Sequence, residues 1–433
     1  MNISSLIRHC PAMLISAPAS GQGKTTVTSA LAYHFRRQNL RVRAFKTGPD
    51  FIDPQILACA SGHSVYQLDL WMMGEAHCRD LLYRAAGESD LILIEGVMGL
   101  YDGDSSSADL AQALDVPVAV VIDAQGMAQT FAAVAFGLAN YRAGLTCAGV
   151  IANKVGSVGH AGLLQEALPQ GLPLLAAMAK HTSVDLPSRH LGLMQADEIG
   201  DLDRRLQRAA ELLNEFATCR LPIPVAFDPV EGCRMPKLLA GKSIAVAKDA
   251  AFSFIYPANL DCLKAMGAEL KFFSPLADTQ LPEADGVYLP GGYPELHLKA
   301  LADNRAMKQA LRDHHHAGKA IYAECGGFLY LLDSLVDKDG HAAEMVGLLQ
   351  GRALMQDRLV NLGMHSLHLE LGEIRGHSFH HSLLETDMAA FSHSTPQRQR
   401  SQAEAFYRSG SLRASYLHLY FPFNPQLAAG FFL

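Results

Sequence analysis

The 433-residue chain contains no CxxC pair, no block of basic residues, no internal repeat and no low-complexity segment. Its eight cysteines (10, 59, 78, 147, 219, 233, 262 and 325) are scattered, which argues against a zinc site or a disulfide framework and for a reducing compartment. Lys and Arg number 36 against 43 Asp and Glu, a formal charge of −7, and the mild acidity serves solubility. With no basic patch, nucleic acid is not expected as a partner. No apolar run approaches the roughly 20 residues that span a bilayer. The opening "MNISSLIRHCPAMLISAP" lacks a long apolar segment followed by a small-residue cleavage site. A soluble, cytoplasmic protein without a membrane partner is expected.

What is present is apolar and rhythmic. Hydrophobic residues make up 49% of the chain and charged ones 18%, and the length suits two or three domains with cores of their own. The runs at 12–17, 40–45, 90–96, 116–123 and 147–153 read as buried strands, separated by stretches with helical spacing. That alternation predicts an α/β fold with a mostly parallel sheet covered on both faces. A second strand series falls at 242–249, 268–275, 285–292 and 319–327. Between the two series lies a Pro-rich, poorly periodic stretch. Two α/β domains are therefore expected, at 1–220 and 242–433, joined by a linker at 221–241.

"LISAPASGQGKTTVTSAL" follows a strand and opens a helix, the setting of a phosphate-binding loop. Gly21 and Gly23 allow backbone N–H groups to face phosphate oxygens. Lys24 would reach the β- and γ-phosphates, and the Thr25 hydroxyl would face Mg²⁺. Pro18 stands where the usual pattern has its first glycine. Acids recur at the ends of the following strands: Asp50 and Asp53 beside Lys46, then Glu95 and Asp102, then Asp123. Carboxylates beside such a loop typically hold Mg²⁺, directly or through water. Singly, an Asp is as readily a turn former or helix cap, and Asp123 leans that way. A charged Glu95 ending an apolar strand is costly to bury unpaired.

"KAIYAECGGFLYLL" (319–332) sets Cys325 between a Glu and two glycines. A core filler needs no glycines beside it, whereas a nucleophile at a strand-to-helix turn does. The helix dipole there is expected to lower the thiol pKa. "GVYLPGGYPELH" ends the preceding strand, and the backbone N–H groups of Gly292 and Tyr293 could form an oxyanion hole. A base is then needed, from His314–His316, His365, His368, His377, His380, His381 or His418. The "HHHAGK" segment reads as a solvated face. Between His418 and the cluster at 376–382, the residues alone leave the choice open.

Seven segments in order, "APASGQGKTTVT", "FKTGPDFIDP", "EGVMGLYDG", "LPGGYPELH", "AECGGFLYL", "GHSFHHS" and "ASYLHLYF", resemble the cobyrinate/hydrogenobyrinate a,c-diamide synthase family of tetrapyrrole biosynthesis. The resemblance covers nearly the whole chain. It implies a P-loop NTPase domain of the dethiobiotin-synthetase-like type, followed by a class I glutamine amidotransferase-like α/β domain. The implied activity is ATP-dependent amidation of the ring's a- and c-acetate carboxylates, with ammonia drawn from glutamine and an acyl phosphate as intermediate. Small-molecule partners follow: a corrinoid ring, glutamine and ATP as co-substrate, with Mg²⁺ as cofactor. A homodimer is left open.

By this resemblance Cys325 is the nucleophile and His418 its activating group. Tyr420 stands where class I glutaminases usually place a Glu, so no third member is assigned. ATP and Mg²⁺ would meet Ser20, Gly21, Gly23, Lys24, Thr25 and Thr26. Glu95 and Asp50 would serve the metal, Lys46, Asp53 and Asp102 the reacting carboxylate, and Asn153 the adenine. The nearest alternatives are a cobyric acid synthase-like or nickel-sirohydrochlorin-amidating enzyme, and a P-loop ATPase switch with a vestigial second domain. Against the last, Ala19 occupies the place of its signature lysine.

Cys325→Ala is expected to abolish glutamine-dependent amidation and to spare amidation from ammonium chloride. A core filler would instead lower both equally. Side-by-side kinetics with the two nitrogen sources decide between them.

Overall fold

The computed structural model describes residues 6–189, 192–216, 219–230, 235–399 and 401–433. The chain divides into two compact units, 1–232 and 233–433. The division falls within the stretch expected as a linker, 221–241, of which 231–234 lie outside the described residues. Part of that stretch is not linker in character, because Pro224–Phe227 forms a strand antiparallel to Arg8–Pro11.

The first unit is built on seven parallel strands: β1 (Arg8–Ser16), β2 (Val42–Thr47), β3 (Tyr66–Leu68), β4 (Leu91–Glu95), β5 (Val118–Asp123), β6 (Cys147–Val155) and β7 (Leu174–Ala179). They lie in the order β3-β2-β4-β1-β5-β6-β7. The central strands β4 and β5 are buried almost throughout, as expected for a parallel sheet covered on both faces. Register matters for the chemistry. Lys46 pairs with Glu95, Ile15 with Glu95, and Asp123 with Asn153, so the polar residues gather at the carboxyl ends of the strands. Strand β1 hands over to helix α1 (Lys24–Arg37) through the loop 17–23, where Gly21 and Gly23 have φ of 78° and 90°.

The second unit has a five-strand parallel core flanked by antiparallel strands. Its members in chain order are β8 (Ser243–Ala247), β9 (Glu269–Phe273), β10 (Gly286–Leu289), β11 (Ala320–Glu324), β12 (Ser392–His393), β13 (Ala405–Ser409) and β14 (Leu412–Ser415). Their order in the sheet is β9-β8-β10-β11-β14-β13-β12. The five strands from β9 to β14 run parallel, and β13 and β12 continue antiparallel. Two further four-stranded sheets lie within the span 332–419. One contains Asn361–Leu369 against Gly372–His380, with His418–Leu419 paired to the latter.

Packing at the β10 and β11 ends is too close for side chains. A Cβ at Gly327 would stand 2.2 Å from the Leu289 carbonyl oxygen. Gly327→Ala should therefore destabilise the protein by about 1–3 kcal/mol through overpacking. Gly137 lies in the exposed interior of the helix Gln129–Asn140, and a Cβ there meets nothing within 4 Å. Gly137→Ala should stabilise by about 0.5–1 kcal/mol. Denaturant midpoints of the two variants against the parent check both signs.

Candidate active site

In the first unit, Lys46 is the organising charge. Its side chain is 2% exposed, and its ammonium donates to the Gly96 carbonyl at 3.1 Å. Asp53, Asp50 and Glu95 carboxylate oxygens surround it at 3.6, 3.7 and 3.8 Å. Burial opposes the charge, but Glu95, Asp53 and Asp50 outweigh it and hold Lys46 above the ordinary lysine value. The carboxylates respond in turn. Burial pushes Glu95 up against the pull of Lys46, and burial together with Asp53 pushes Asp50 up. Three acids around one lysine make a cluster rich in oxygen donors, the donor type that suits a hard cation.

Thr25 and Glu95 fit a hard cation. The Thr25 hydroxyl donates to Glu95 Oε1 at 2.7 Å, while the buried Glu95 Oε2 has no hydrogen-bond partner among the described residues. Asp50 is less available. Its Oδ1 accepts the Ile52 and Asp53 N–H groups at 2.9 and 3.2 Å, at the start of the helix Asp53–Ser61. Asp102 accepts the Gly99 N–H at 3.0 Å and holds the 98–102 turn. Asp123 forms an ion pair with Lys154 at 2.6 Å and accepts the Gln125 N–H, as a turn former would.

The phosphate loop is braced from behind. Asn153 Nδ2 donates to the Gln22 carbonyl at 2.9 Å, and a Cβ at Gly23 would stand 2.2 Å from that same nitrogen. Asn153 thus grips the loop, while its Oδ1 accepts the Lys154 N–H at 2.9 Å. Helix α1 begins without a side-chain cap, so its first N–H groups face the loop. Lys24 donates to the Ala19 and Met98 carbonyls, and burial with the Lys46 charge holds it below the ordinary lysine value. Ser20 and Gly21 are exposed, and Thr26 is half-buried on the first turn of α1.

In the second unit, Cys325 sits between β11 and a short helix, Gly326–Leu331, with φ 43° and ψ −107°. That backbone is rarely adopted by L-residues, and it is held by the Cys325 N–H donating to the Ser415 carbonyl at 2.8 Å. The two glycine turns meet here. A Cβ at Gly326 would stand 2.8 Å from the Gly292 nitrogen, and one at Gly291 would stand 2.3 Å from the His418 ring. Tyr293 is buried beside them.

His418 is fully buried and stacks on His377, with ring centroids 4.8 Å apart and planes at 16°. Tyr256 Oη lies 2.8 Å from His377 Nδ1. The thiol departs from expectation. Burial, followed by the nearby Glu295 charge, pushes Cys325 well above the ordinary thiol range and outweighs the Gly326 N–H. Burial also pulls His418 down to about 3.

The other histidines separate by burial. His380 lies 2.9 Å from Glu404 Oε1 and stacks on Tyr416, and His365 lies 2.9 Å from Ser394 Oγ. His368 is exposed. The "HHHAGK" segment is only partly a solvated face, since His314 is buried with Nε2 3.2 Å from the Ala320 carbonyl oxygen. Two residues escaped the sequence reading. Glu324 ends β11 as Glu95 ends β4, so the cost of burying a carboxylate pointed to it equally. Asn259, on the helix Pro257–Ala265, carried no local signal.

Residues 13–193 match the CobQ/CobB/MinD/ParA nucleotide binding domain, and residues 243–425 match the CobB/CobQ-like glutamine amidotransferase domain. Along 98% of both chains, the protein is 56% identical to a hydrogenobyrinate a,c-diamide synthase of Stutzerimonas stutzeri. It is 55% identical to the Pseudomonas aeruginosa protein of the same name, over 97% of each chain. A cobyrinate a,c-diamide synthase of Herminiimonas arsenicoxydans is 49% identical over 100% of this chain and 99% of its own. Among the described residues no helix is long and apolar enough to cross a membrane.

The buried thiol generates a direct test. Alkylation of Cys325 by iodoacetamide in the free protein should be slower at pH 7.5 than that of the exposed Cys59, and should climb steeply at higher pH. Peptide mass spectrometry over a pH series reads both rates.

Proposed function

Because the chain belongs to the hydrogenobyrinate and cobyrinate a,c-diamide synthase family, we propose that it amidates the a- and c-acetate carboxylates of a cobyrinate-type ring, spending ATP and glutamine. The single observation that carries the chemistry is the set of Thr25, Lys46, Asp50, Asp53 and Glu95 at one end of the first sheet, beside the phosphate loop.

A carboxylate is a poor electrophile, so its oxygen first attacks the γ-phosphorus of ATP. The new O–P bond forms as the β,γ-bridging bond breaks, giving an acyl phosphate and ADP. Lys24 leaves the Ala19 and Met98 carbonyls to meet the transferred phosphoryl charge. Lys46 offsets the negative charge of the incoming carboxylate against its three acids. Thr25 and Glu95, with Asp50 nearby, would hold a Mg²⁺ ion, which would supply charge neutralisation at the phosphates. Asn153 keeps the loop in its phosphate-binding shape.

In the second unit, Cys325 attacks the glutamine side-chain amide. Its proton passes to His418 and on to the departing ammonia, and the oxyanion faces the Gly292 and Tyr293 N–H groups. Water then hydrolyses the glutamyl thioester. Ammonia attacks the acyl carbon in the first unit, phosphate departs, and a second round at the other carboxylate completes the diamide.

Incubation with ATP, glutamine and either the metal-free or the cobalt ring should yield a product two amidations heavier, with ADP and phosphate. AMP and pyrophosphate would refute the acyl phosphate. Lys24→Ala should lose amidation from both nitrogen sources while retaining glutamine hydrolysis. Glu95→Gln should raise the Mg²⁺ concentration needed for half-maximal activity, and an unchanged titration would move the ligand role to Asp50.

A further inference from the structure

Glu324 precedes the nucleophile and is 1% exposed, yet its carboxylate is fully occupied. Oε1 accepts the Leu419 N–H and the Tyr322 hydroxyl, each at 2.9 Å, and Oε2 accepts the Tyr288 hydroxyl at 2.7 Å. A buried carboxylate with neutral donors is no gain in stability over an apolar trio of the same shape. Stability therefore does not account for it.

Its partners suggest what does. Leu419 directly follows His418, and the strand His418–Leu419 is only two residues long. The backbone of the next residues is tied to other elements. Asn259 Nδ2 donates to the Leu419 carbonyl and Asn259 Oδ1 accepts the Phe421 N–H, both at 2.8 Å. The Tyr420 N–H donates to the Arg375 carbonyl at 2.8 Å. The Glu324 bond runs back to the strand that carries Cys325. A single carboxylate thus links the residue before the nucleophile to the residue after the imidazole. The usual position for a third glutaminase acid, two residues after the histidine, holds Tyr420 instead.

We propose that Glu324 is a positioning residue of the glutaminase: through the Leu419 amide it sets where the His418 imidazole stands relative to Cys325. This rests on the reading of Cys325 as a glutaminase nucleophile. Glu324 touches no reacting atom. Its loss lets the 418–419 peptide relax, and misplacement by an ångström costs on the order of 100-fold in rate.

The test uses the full-length protein, with glutamine hydrolysis as the readout and ammonium-supported amidation as the measure of an intact fold. Glu324→Ala should lower kcat for glutamine about 100-fold with KM unchanged, and iodoacetamide should still alkylate Cys325. Glu324→Gln keeps an acceptor for the Leu419 N–H, and the Tyr288 hydroxyl can turn to accept from its amide, so most of the activity should return. If the alanine variant is not recovered folded, Glu324→Met, which fills the space without an acceptor, makes the same comparison.

A normal kcat in the variants without an acceptor, or equal loss in Glu324→Gln, overturns the proposal. Loss of ammonium-supported amidation in step with glutamine hydrolysis also overturns it, by showing a role in the fold alone. Cys325→Ala separates the two layers. Glutamine hydrolysis surviving in that variant refutes the glutaminase reading itself, whereas its loss there with a normal Glu324→Ala refutes only the positioning role.

Discussion

Lys46, Glu95 and Glu324 lie at or near the ends of strands whose neighbouring residues are buried and apolar, and none of the three reaches water. An ionised group in that position must find its counter-charge or its donors where it stands, because the surrounding strands offer only peptide groups already committed to the sheet. In the first unit the demand is met by charge. Lys46 draws Asp50, Asp53 and Glu95 around it, and the register of β2 on β4 brings the two strand-end residues together. In the second unit it is met by neutral donors, two tyrosine hydroxyls and one peptide N–H. The two solutions suit different tasks. An acid-rich cluster suits a hard cation, whereas a neutral cage fixes geometry.

The same strand ends are places where the chain comes closer to itself than a side chain permits. Gly23 lies against Asn153, Gly291 against His418, and Gly327 against the Leu289 carbonyl. Each contact leaves no room for a Cβ at the glycine. The strained backbone of Cys325 belongs to this pattern, since neighbours that cannot move apart keep it at φ 43°. Burial has a price in reactivity, because a desolvated thiol stays protonated.

Much of this architecture was legible in the sequence because parallel strands buried on both faces are written as short, unbroken apolar runs. The nine strands expected from such runs all occur, and the phosphate loop, its lysine and the acids that follow stand at strand ends as their spacing implied. The antiparallel strands between 332 and 415 were not legible. They carry mixed polar and apolar residues, and their pairing depends on partners far away in the chain. His314 was misjudged for a related reason: a charged-looking run on a helix says nothing about which of its members turns inward.

The sequence by itself determined the parallel strands, the loop glycines, and the strand–turn–helix settings in which Lys24 and Cys325 stand. Local spacing suffices there, since a strand, a turn and a helix start are set by adjacent residues. Only the tertiary structure decided which distant groups share a site. Lys46 with Glu95, Asn153 with the phosphate loop, and Glu324 with the residue after His418 are separated by 49 to 131 positions. It also decided burial, which has no signature in spacing and which raises the Cys325 thiol against the expectation drawn from the helix dipole.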